Sequence, residues 1–109
     1  MLTGELWSMD LGDPVDTEAG LFRPALVVSP HRFTGPFRVV CPLTTTLRTY
    51  PWRLEVEPDA ANGLPATCYM QTEQLRSIST ARGVRRLGSL DAVAMKQVRR
   101  VLALLLDLP

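Results

Sequence analysis

The sequence predicts a mainly β domain of the α+β class, a small barrel that ends in one α-helix. Five short runs typical of β-strands follow one another, with loops between them. After the last of them the apolar residues change from strand-like spacing to helical spacing. The chain has 109 residues, enough for one modest hydrophobic core, so we expect residues 1–109 to form a single domain.

The five predicted strands are separated by residues that favour turns. The first ends at Gly12-Asp13-Pro14, where an acidic loop begins. The second is nearly continuous in apolar residues, as a strand buried on both faces would be. In the fourth, apolar and charged residues alternate, so Trp52, Leu54 and Val56 are expected to face a core. The predicted bounds are 4–11, 23–29, 37–43, 52–57 and 66–71. Closing such strands into a barrel limits the exposed edges of the sheet.

The helix is predicted from a stripe of apolar residues near the end of the chain. Asp91 precedes this stripe and is a suitable N-cap. The stripe consists of Ala94, Val98, Val101, Leu102 and Leu105. Leu104 and Leu106 fall outside it, so the end of the helix is apolar on more than one side. We expect this end to form an interface with another chain.

The formal net charge is +1, which argues against a protein that coats polyanions without discrimination. The charges are unevenly placed, because residues 1–20 contain five acidic residues and no basic one. Basic residues dominate in residues 73–100, and Lys96 is the only lysine of the chain. Arginine binds phosphate with two parallel hydrogen bonds, so this composition is compatible with nucleic-acid contact. On composition alone, codon bias in a GC-rich genome, together with a solvated helix face, is the favoured explanation of the arginines.

Several other classes of protein lack support in the sequence. The N-terminus has no signal-peptide pattern, and no apolar run approaches the roughly 20 residues that span a bilayer, so we expect a cytoplasmic protein without membrane contact. Cys41 and Cys68 lack ligand spacing and are expected to be reduced, buried thiols, with no metal site. His31 is expected to be solvated. No glycine-rich phosphate loop is present, and no cofactor is expected.

What remains is a set of polar residues at predicted strand ends. Taken singly, each has an ordinary structural explanation, as a solvated charge, an ion-pair partner or a turn residue. Their order along the chain is more informative. The segments are Gly4-Glu5-Leu6-Trp7, Thr17-Glu18, Arg23-Pro24-Ala25-Leu26-Val27-Val28-Ser29, Pro42-Leu43-Thr44-Thr45, Tyr50-Pro51-Trp52 and Glu73-Gln74-Leu75-Arg76. In this order the chain resembles the MazF/PemK family of toxins, from Gly4 to about Leu106.

The resemblance implies a homodimer of SH3-like barrels with C-terminal helices. It also implies a toxin of a type II toxin–antitoxin system, a sequence-specific and metal-independent endoribonuclease that needs no cofactor. Such an enzyme cleaves single-stranded RNA, chiefly mRNA with rRNA or tRNA as alternatives, and so inhibits translation and growth. The products carry a cyclic phosphate and a 5′-hydroxyl. The partners implied are the RNA and a cognate antitoxin that covers the RNA-binding groove.

By position in the family's motifs, Arg23 and Thr44 match the catalytic residues. The residues expected to bind RNA are Thr17, Glu18, Thr45, Arg48, Gln74 and Arg76, with Arg82, Arg85 and Arg86 as further contacts to the backbone. Trp or Tyr side chains are expected to offer stacking surfaces. The sequence departs from the family between Glu18 and Arg23, because Gly20 stands one place early and the usual glutamine is missing. We expect the acidic loop to be mobile and to rearrange when RNA or antitoxin binds.

Arg23 is expected to act electrostatically, because a guanidinium has almost no neutral form at pH 7. The proton acceptor is then Glu18 or a positioned water. Two other functions stay open from the residues. One is a gyrase-poisoning toxin of the CcdB kind, which shares the barrel but ends on Trp-Gly-Ile, whereas this chain ends Leu-Asp-Leu-Pro. The other is a catalytically silent relative that binds only RNA or antitoxin.

Overall fold

The computed structural model describes residues 1–109 and contains seven β-strands and one α-helix. The strands are β1 (Glu5–Asp10), β2 (Phe22–Val27), β3 (Phe37–Thr44), β4 (Leu54–Val56), β5 (Cys68–Met70), β6 (Arg76–Ser79) and β7 (Gly83–Ser89), and the helix is α1 (Ala92–Leu105). Short 3-10 turns at Thr72–Gln74 and Thr80–Arg82 flank β6. The predicted mainly β domain with a C-terminal helix is confirmed.

The strands form one antiparallel sheet in the order β4-β5-β3-β2-β1-β7, with β6 attached to β3. No ladder joins β4 to β7, so the sheet does not close on itself and the small SH3-like barrel stays partly open. β3 lies at the centre because Val40 pairs with Val27 of β2 on one edge and with Arg76 of β6 on the other. Near its end, β3 also pairs with β5 through Leu43 and Thr44.

The hydrophobic core has two parts, and the central strands contribute to both. Leu26 belongs to one part, whereas its neighbours Ala25 and Val27 belong to the other, because successive side chains of a strand point to opposite faces. All three are fully buried, which confirms that the second strand is buried on both faces. Cys41 and Cys68 are free and buried, as predicted, and burial raises the pKa of both thiols.

The C-terminal helix begins as the sequence predicts. The Asp91 carboxylate accepts a hydrogen bond of 2.7 Å from the amide of Ala94 and so caps the first turn. Met95 and Val98 are buried against the core. At the other end, Leu104 is 77% exposed and Leu106 is 51% exposed, so the structure leaves an apolar surface there. No helix in the structure has the length and apolar character required to cross a membrane.

Two of the seven strands, β6 and β7, are absent from the sequence prediction. β6 has only one buried residue, Ile78, and β7 is rich in glycine and arginine, so neither shows a clear alternation of apolar residues. The prediction for Trp52 also needs correction. Its strand begins only at Leu54, and Trp52 lies before it, half-buried, instead of facing the core as Leu54 and Val56 do.

The long loop between β4 and β5 is held by a buried asparagine. Asn62 is 1% exposed, and its Oδ1 accepts hydrogen bonds from the amides of Asp59 (3.1 Å) and Leu64 (3.0 Å). Its Nδ2 donates to the carbonyl of Glu57 at 2.8 Å. Gly63 follows with a φ of +66°, and a Cβ there would come within 2.0 Å of the carbonyl oxygen of Leu87. The Asn62-Gly63 turn therefore also fits the loop closely against β7.

Asn62→Ala is expected to lower the free energy of unfolding by about 3 kcal/mol, because it leaves two amide donors and one carbonyl of the loop without their partner. Urea denaturation of the purified protein measures this. Ala60→Ser, an exposed change in the same loop, is the control and should alter stability by less than about 0.5 kcal/mol. Equal stabilities of the two variants would contradict the role given to Asn62.

Candidate active site

An open groove of about 840 Å³ runs between the acidic loop, the start of β2, the end of β3 and the turn at Thr72–Gln74. Elements distant in sequence meet here because β2 and β5 both pair with β3. Of the residues predicted to form the site, those that line the groove are Thr17, Glu18, Arg23, Thr44, Arg48, Gln74 and Arg76. The fold therefore brings together most of the site expected from the sequence.

The remaining predicted residues lie elsewhere. Thr45 is exposed and does not line the groove, whereas its neighbour Thr46 does, because the chain turns after Thr44 at the end of β3. None of Arg82, Arg85 and Arg86 lines the groove either. Arg82 donates to the carbonyl of Asp10, and Arg86 forms a 2.7 Å ion pair with Glu5.

Arg23 stands near the start of β2 and is held by two uncharged acceptors. Its Nε donates to the carbonyl of Gly20 at 3.0 Å, and its Nη1 donates to Oε1 of Gln71 at 3.2 Å. These bonds orient the guanidinium and leave its other N–H groups free. Burial lowers the pKa of Arg23 below its ordinary value, and the nearby charge of Arg76 lowers it further. A bound anion would offset both effects, because its negative charge favours the protonated guanidinium.

Thr44 is the last residue of β3, and its hydroxyl is already oriented. The amide of Thr46 donates a 3.2 Å hydrogen bond to Oγ1 of Thr44. Because the hydroxyl oxygen serves as the acceptor in that bond, its own proton is available to a third group. The arrangement suits a hydroxyl that donates to a bound oxygen atom.

The groove is electropositive because most of its arginines lack a carboxylate partner. Four arginines line it, and only Arg53 forms an ion pair, with Glu73 at 2.8 Å. Arg23, Arg48 and Arg76 have no such partner. No group of three or more His, Cys, Asp or Glu side chains is placed to hold a metal ion. Unpaired arginines along a groove are suited to binding a polyanion such as a phosphate backbone.

Gln74 joins the acidic loop to the rest of the groove. Its Oε1 accepts hydrogen bonds from the amide of Ala19 and, at 3.1 Å, from Nη2 of Arg76. Its Nε2 donates to the carbonyl of Thr17 at 3.4 Å. Ala19 is 2% exposed and packs into the second part of the core. Within this loop, Oε1 of Glu18 accepts a hydrogen bond from the amide of Val15 at 2.9 Å. One of the two carboxylate oxygens of Glu18 is therefore used to hold the loop.

Gln71 also lines the groove, although no sequence pattern marked it as a site residue, and Tyr50 and Trp52 line it as two of the aromatic residues from which stacking surfaces were expected. Gln71 is buried and orients Arg23, yet a lone glutamine after a strand carries no specific signal. The spacing between Gln71 and Gln74 is a weak sequence signal, because residues three apart lie at the two ends of one 3-10 turn and can face the same groove. The alternating pattern around Trp52 pointed to a core position.

The contacts of Gln74 predict unequal protection along the acidic loop. In the free protein, the amide of Ala19 should exchange its hydrogen slowly, whereas those of Asp13 and Asp16, which have no acceptor, should exchange rapidly. Gln74→Ala should accelerate exchange at Ala19 about tenfold, since it removes the acceptor. Hydrogen exchange followed by NMR measures each site, with Gln97→Ala on the exposed face of α1 as control. Uniform protection of residues 13–20 would contradict a partly mobile loop.

Comparisons with known proteins agree with this geometry. The chain is 34% identical over 116 residues to Endoribonuclease MazF9 of Mycobacterium tuberculosis (strain ATCC 25618 / H37Rv), covering 99% of this chain and 98% of that protein. The fold of this chain is similar to that of MazF from Deinococcus radiodurans, with a TM-score of 0.84 and 26% identity. The comparison covers 99% of this chain and 97% of the other.

A further similar structure is an endoribonuclease in complex with its cognate antitoxin from a mycobacterial species. That comparison gives a TM-score of 0.80 and 26% identity, over 100% of this chain and 97% of the other. The family model described as PemK-like, MazF-like toxin of type II toxin-antitoxin system matches residues 2–106. With an SH3-like barrel and nearly the whole chain matched, the protein belongs to this family of type II toxins.

Proposed function

We propose that this toxin is an endoribonuclease that cleaves single-stranded RNA at short sequence motifs without a metal ion. The observation that carries the proposal is the groove, where three arginines without carboxylate partners lie with an oriented threonine hydroxyl. The names of its relatives support it, since MazF9 and the mycobacterial structure are both endoribonucleases. Inhibition of translation and growth follows when the RNA cut is mRNA, and rRNA and tRNA are alternative targets.

The proposed reaction uses the ribose 2′-hydroxyl of the RNA as nucleophile. Its oxygen loses a proton and attacks the adjacent phosphorus, and the bond from phosphorus to the 5′-oxygen breaks. That oxygen takes up a proton, so the products are a 2′,3′-cyclic phosphate and a 5′-hydroxyl. Arg23 and Thr44 donate hydrogen bonds to the phosphate oxygens, whose negative charge grows in the transition state. One such donor typically contributes about 3 kcal/mol of transition-state stabilisation.

The two uncharged acceptors that hold Arg23 leave it able to bind the phosphate oxygens. A carboxylate in place of Gln71 would neutralise the guanidinium and compete with the phosphate, whereas an amide orients it and leaves its charge intact. Arg23 stays protonated at neutral pH even with its lowered pKa, so it does not accept the proton. We assign that role to Glu18 or to a water positioned in the groove. Oε2 of Glu18 makes no hydrogen bond in the free protein.

Binding of the RNA divides between phosphate and base contacts. Arg48 and Arg76 lack ion-pair partners and are proposed to bind backbone phosphates. Thr17 and Gln74, which line the groove, and the exposed Thr45 at its margin carry uncharged hydrogen-bonding groups of the kind that read base edges. The same surface is proposed to bind a cognate antitoxin in the cytoplasm, because an acidic inhibitory segment would find the arginines that RNA uses.

RNA cleavage in the presence of EDTA tests the proposal. A long RNA incubated with the protein should be cut at a few sites, with cyclic phosphate on the new 3′ ends and hydroxyl on the new 5′ ends. Arg23→Lys should lower the cleavage rate about 100-fold, because a lysine cannot supply the paired donors of a guanidinium. Thr44→Val should lower it similarly, whereas Thr44→Ser keeps the hydroxyl and most of the activity.

Arg32→Lys is the matched control, since Arg32 is exposed between β2 and β3 and lies outside the groove, and this change should leave the rate unaltered. Near-normal cleavage by Arg23→Lys would show that the paired donors are unnecessary. Intact RNA would indicate a catalytically silent relative. Intact RNA together with stalled DNA gyrase would indicate the CcdB-like activity instead.

We also propose that the protein is a homodimer. The exposed end of α1 supports this, because Leu104, Leu106 and Leu108 together present an apolar surface that a monomer leaves in water. Sedimentation equilibrium should give twice the mass of the chain. Leu104→Glu should shift the population toward monomer, whereas Val15→Glu, an equally exposed change in the acidic loop, should not. A monomeric wild-type protein would contradict the proposal.

A further inference from the structure

We propose that Tyr50 and Trp52 form a nucleobase-binding subsite at one end of the groove, where a base of the bound strand stacks on the aromatic pair. The inference rests on the proposed function, because it concerns the same RNA. It adds a contact of a different kind from the arginine and hydroxyl contacts described above. These residues line the groove but are not needed to explain how the phosphate is held.

The two rings are stacked with each other and accessible from the groove. Their centroids are 5.0 Å apart and their planes differ by 5°. Tyr50 is 45% exposed, and Trp52 is half-buried. The backbone at Trp52 is fixed, since its carbonyl accepts a 2.6 Å hydrogen bond from the hydroxyl of Thr72, a fully buried residue. An exposed aromatic ring on a fixed support is a typical platform for a nucleobase.

The cation that contacts the Tyr50 ring is already paired with a carboxylate. The guanidinium of Arg53 lies 5.1 Å from the centre of the Tyr50 ring. Glu73 binds it with two hydrogen bonds, of 3.1 and 2.8 Å, so its charge is neutralised. Of the three cations without carboxylate partners, Arg23 and Arg76 belong to the part of the groove near Gln71 and Gln74. Arg48 lies two residues before Tyr50 in the chain and can hold a phosphate next to the base. The Tyr50 ring therefore offers a flat, uncharged surface to a base beside cations that suit its phosphate.

The indole of Trp52 also has an unused hydrogen-bond donor. Nε1 is buried and donates to no atom of the protein, and it is the only buried side-chain nitrogen or oxygen left in this way. A buried donor without a partner is unfavourable and uncommon in folded proteins. The ring nitrogens and carbonyl oxygens of nucleobases are acceptors. A base edge that reached Nε1 would supply the missing partner.

Fluorescence of Trp52 tests the subsite. The chain has two tryptophans, and Trp7→Phe leaves Trp52 as the only one. Trp7 lies on β1 outside the groove, with its Nε1 bonded to Glu5. The probes are single-stranded DNA heptamers of each base, which lack the attacking 2′-hydroxyl and cannot be cleaved, and an abasic heptamer with the same phosphates. At least one heptamer that carries bases should quench Trp52 and bind about tenfold more tightly than the abasic one.

Substitution of Tyr50 completes the test. Tyr50→Ala should bring the affinity of the best heptamer close to that of the abasic heptamer, because the stacking surface is lost. Phe33→Ala removes an aromatic ring that is 56% exposed outside the groove, and should leave the tenfold difference intact. Far-UV circular dichroism of each variant verifies the fold. Equal binding and equal quenching by the abasic heptamer would overturn the subsite, as would an unchanged difference in Tyr50→Ala.

RNA cleavage by the same preparations separates the two proposals. Cleavage without quenching that depends on bases would overturn the subsite and leave the endoribonuclease assignment intact. Quenching that depends on bases without any cleavage would support the subsite and overturn the endoribonuclease. Quenching by an aromatic peptide but by no heptamer would assign the aromatic pair to a protein partner and so overturn the nucleobase-binding subsite.

Discussion

The pairing of β3 on both edges is the constraint on which the active site depends. Val40 pairs with β2 on one side and with β6 on the other, and the amide of Gln71 bonds the carbonyl of Pro42 at 2.8 Å. Arg23, Arg76 and Gln71 all lie on segments that are hydrogen-bonded to β3, and Thr44 is its last residue. The relative positions of the donors are therefore fixed by backbone ladders, and pre-positioned donors need little reorganisation when charge develops.

The groove also shows how a small protein keeps cations available. Arg23 and Arg76 are satisfied by amides and carbonyls, which orient a guanidinium without cancelling its charge. Arg53 is instead paired with Glu73 and supports the aromatic end. This division gives one groove two chemical characters, one suited to phosphate and one to a flat ring. The net charge of the whole chain, +1, gives no sign of this division, because the paired and unpaired arginines differ only in their local contacts.

The sequence predicted those parts of the fold that have a strong local signal. Apolar continuity predicted β2, and an acidic residue before an apolar stripe predicted the start of α1. β6 and β7 were missed because their stability comes from pairing with β3 and β1 and not from their own apolar pattern. Family motifs located Arg23 and Thr44. They could not locate Gln71 or the true environment of Trp52, since both depend on contacts between segments far apart in sequence.

Gln74 links the order of the acidic loop to the occupancy of the groove. One side-chain amide holds the loop through Thr17 and Ala19 and also contacts Arg76. A phosphate that draws Arg76 away removes one of the two donors on Oε1, and a group that bonds Gln74 itself must displace the loop. A ligand that enters the groove therefore competes with the acidic loop for the same side-chain amide.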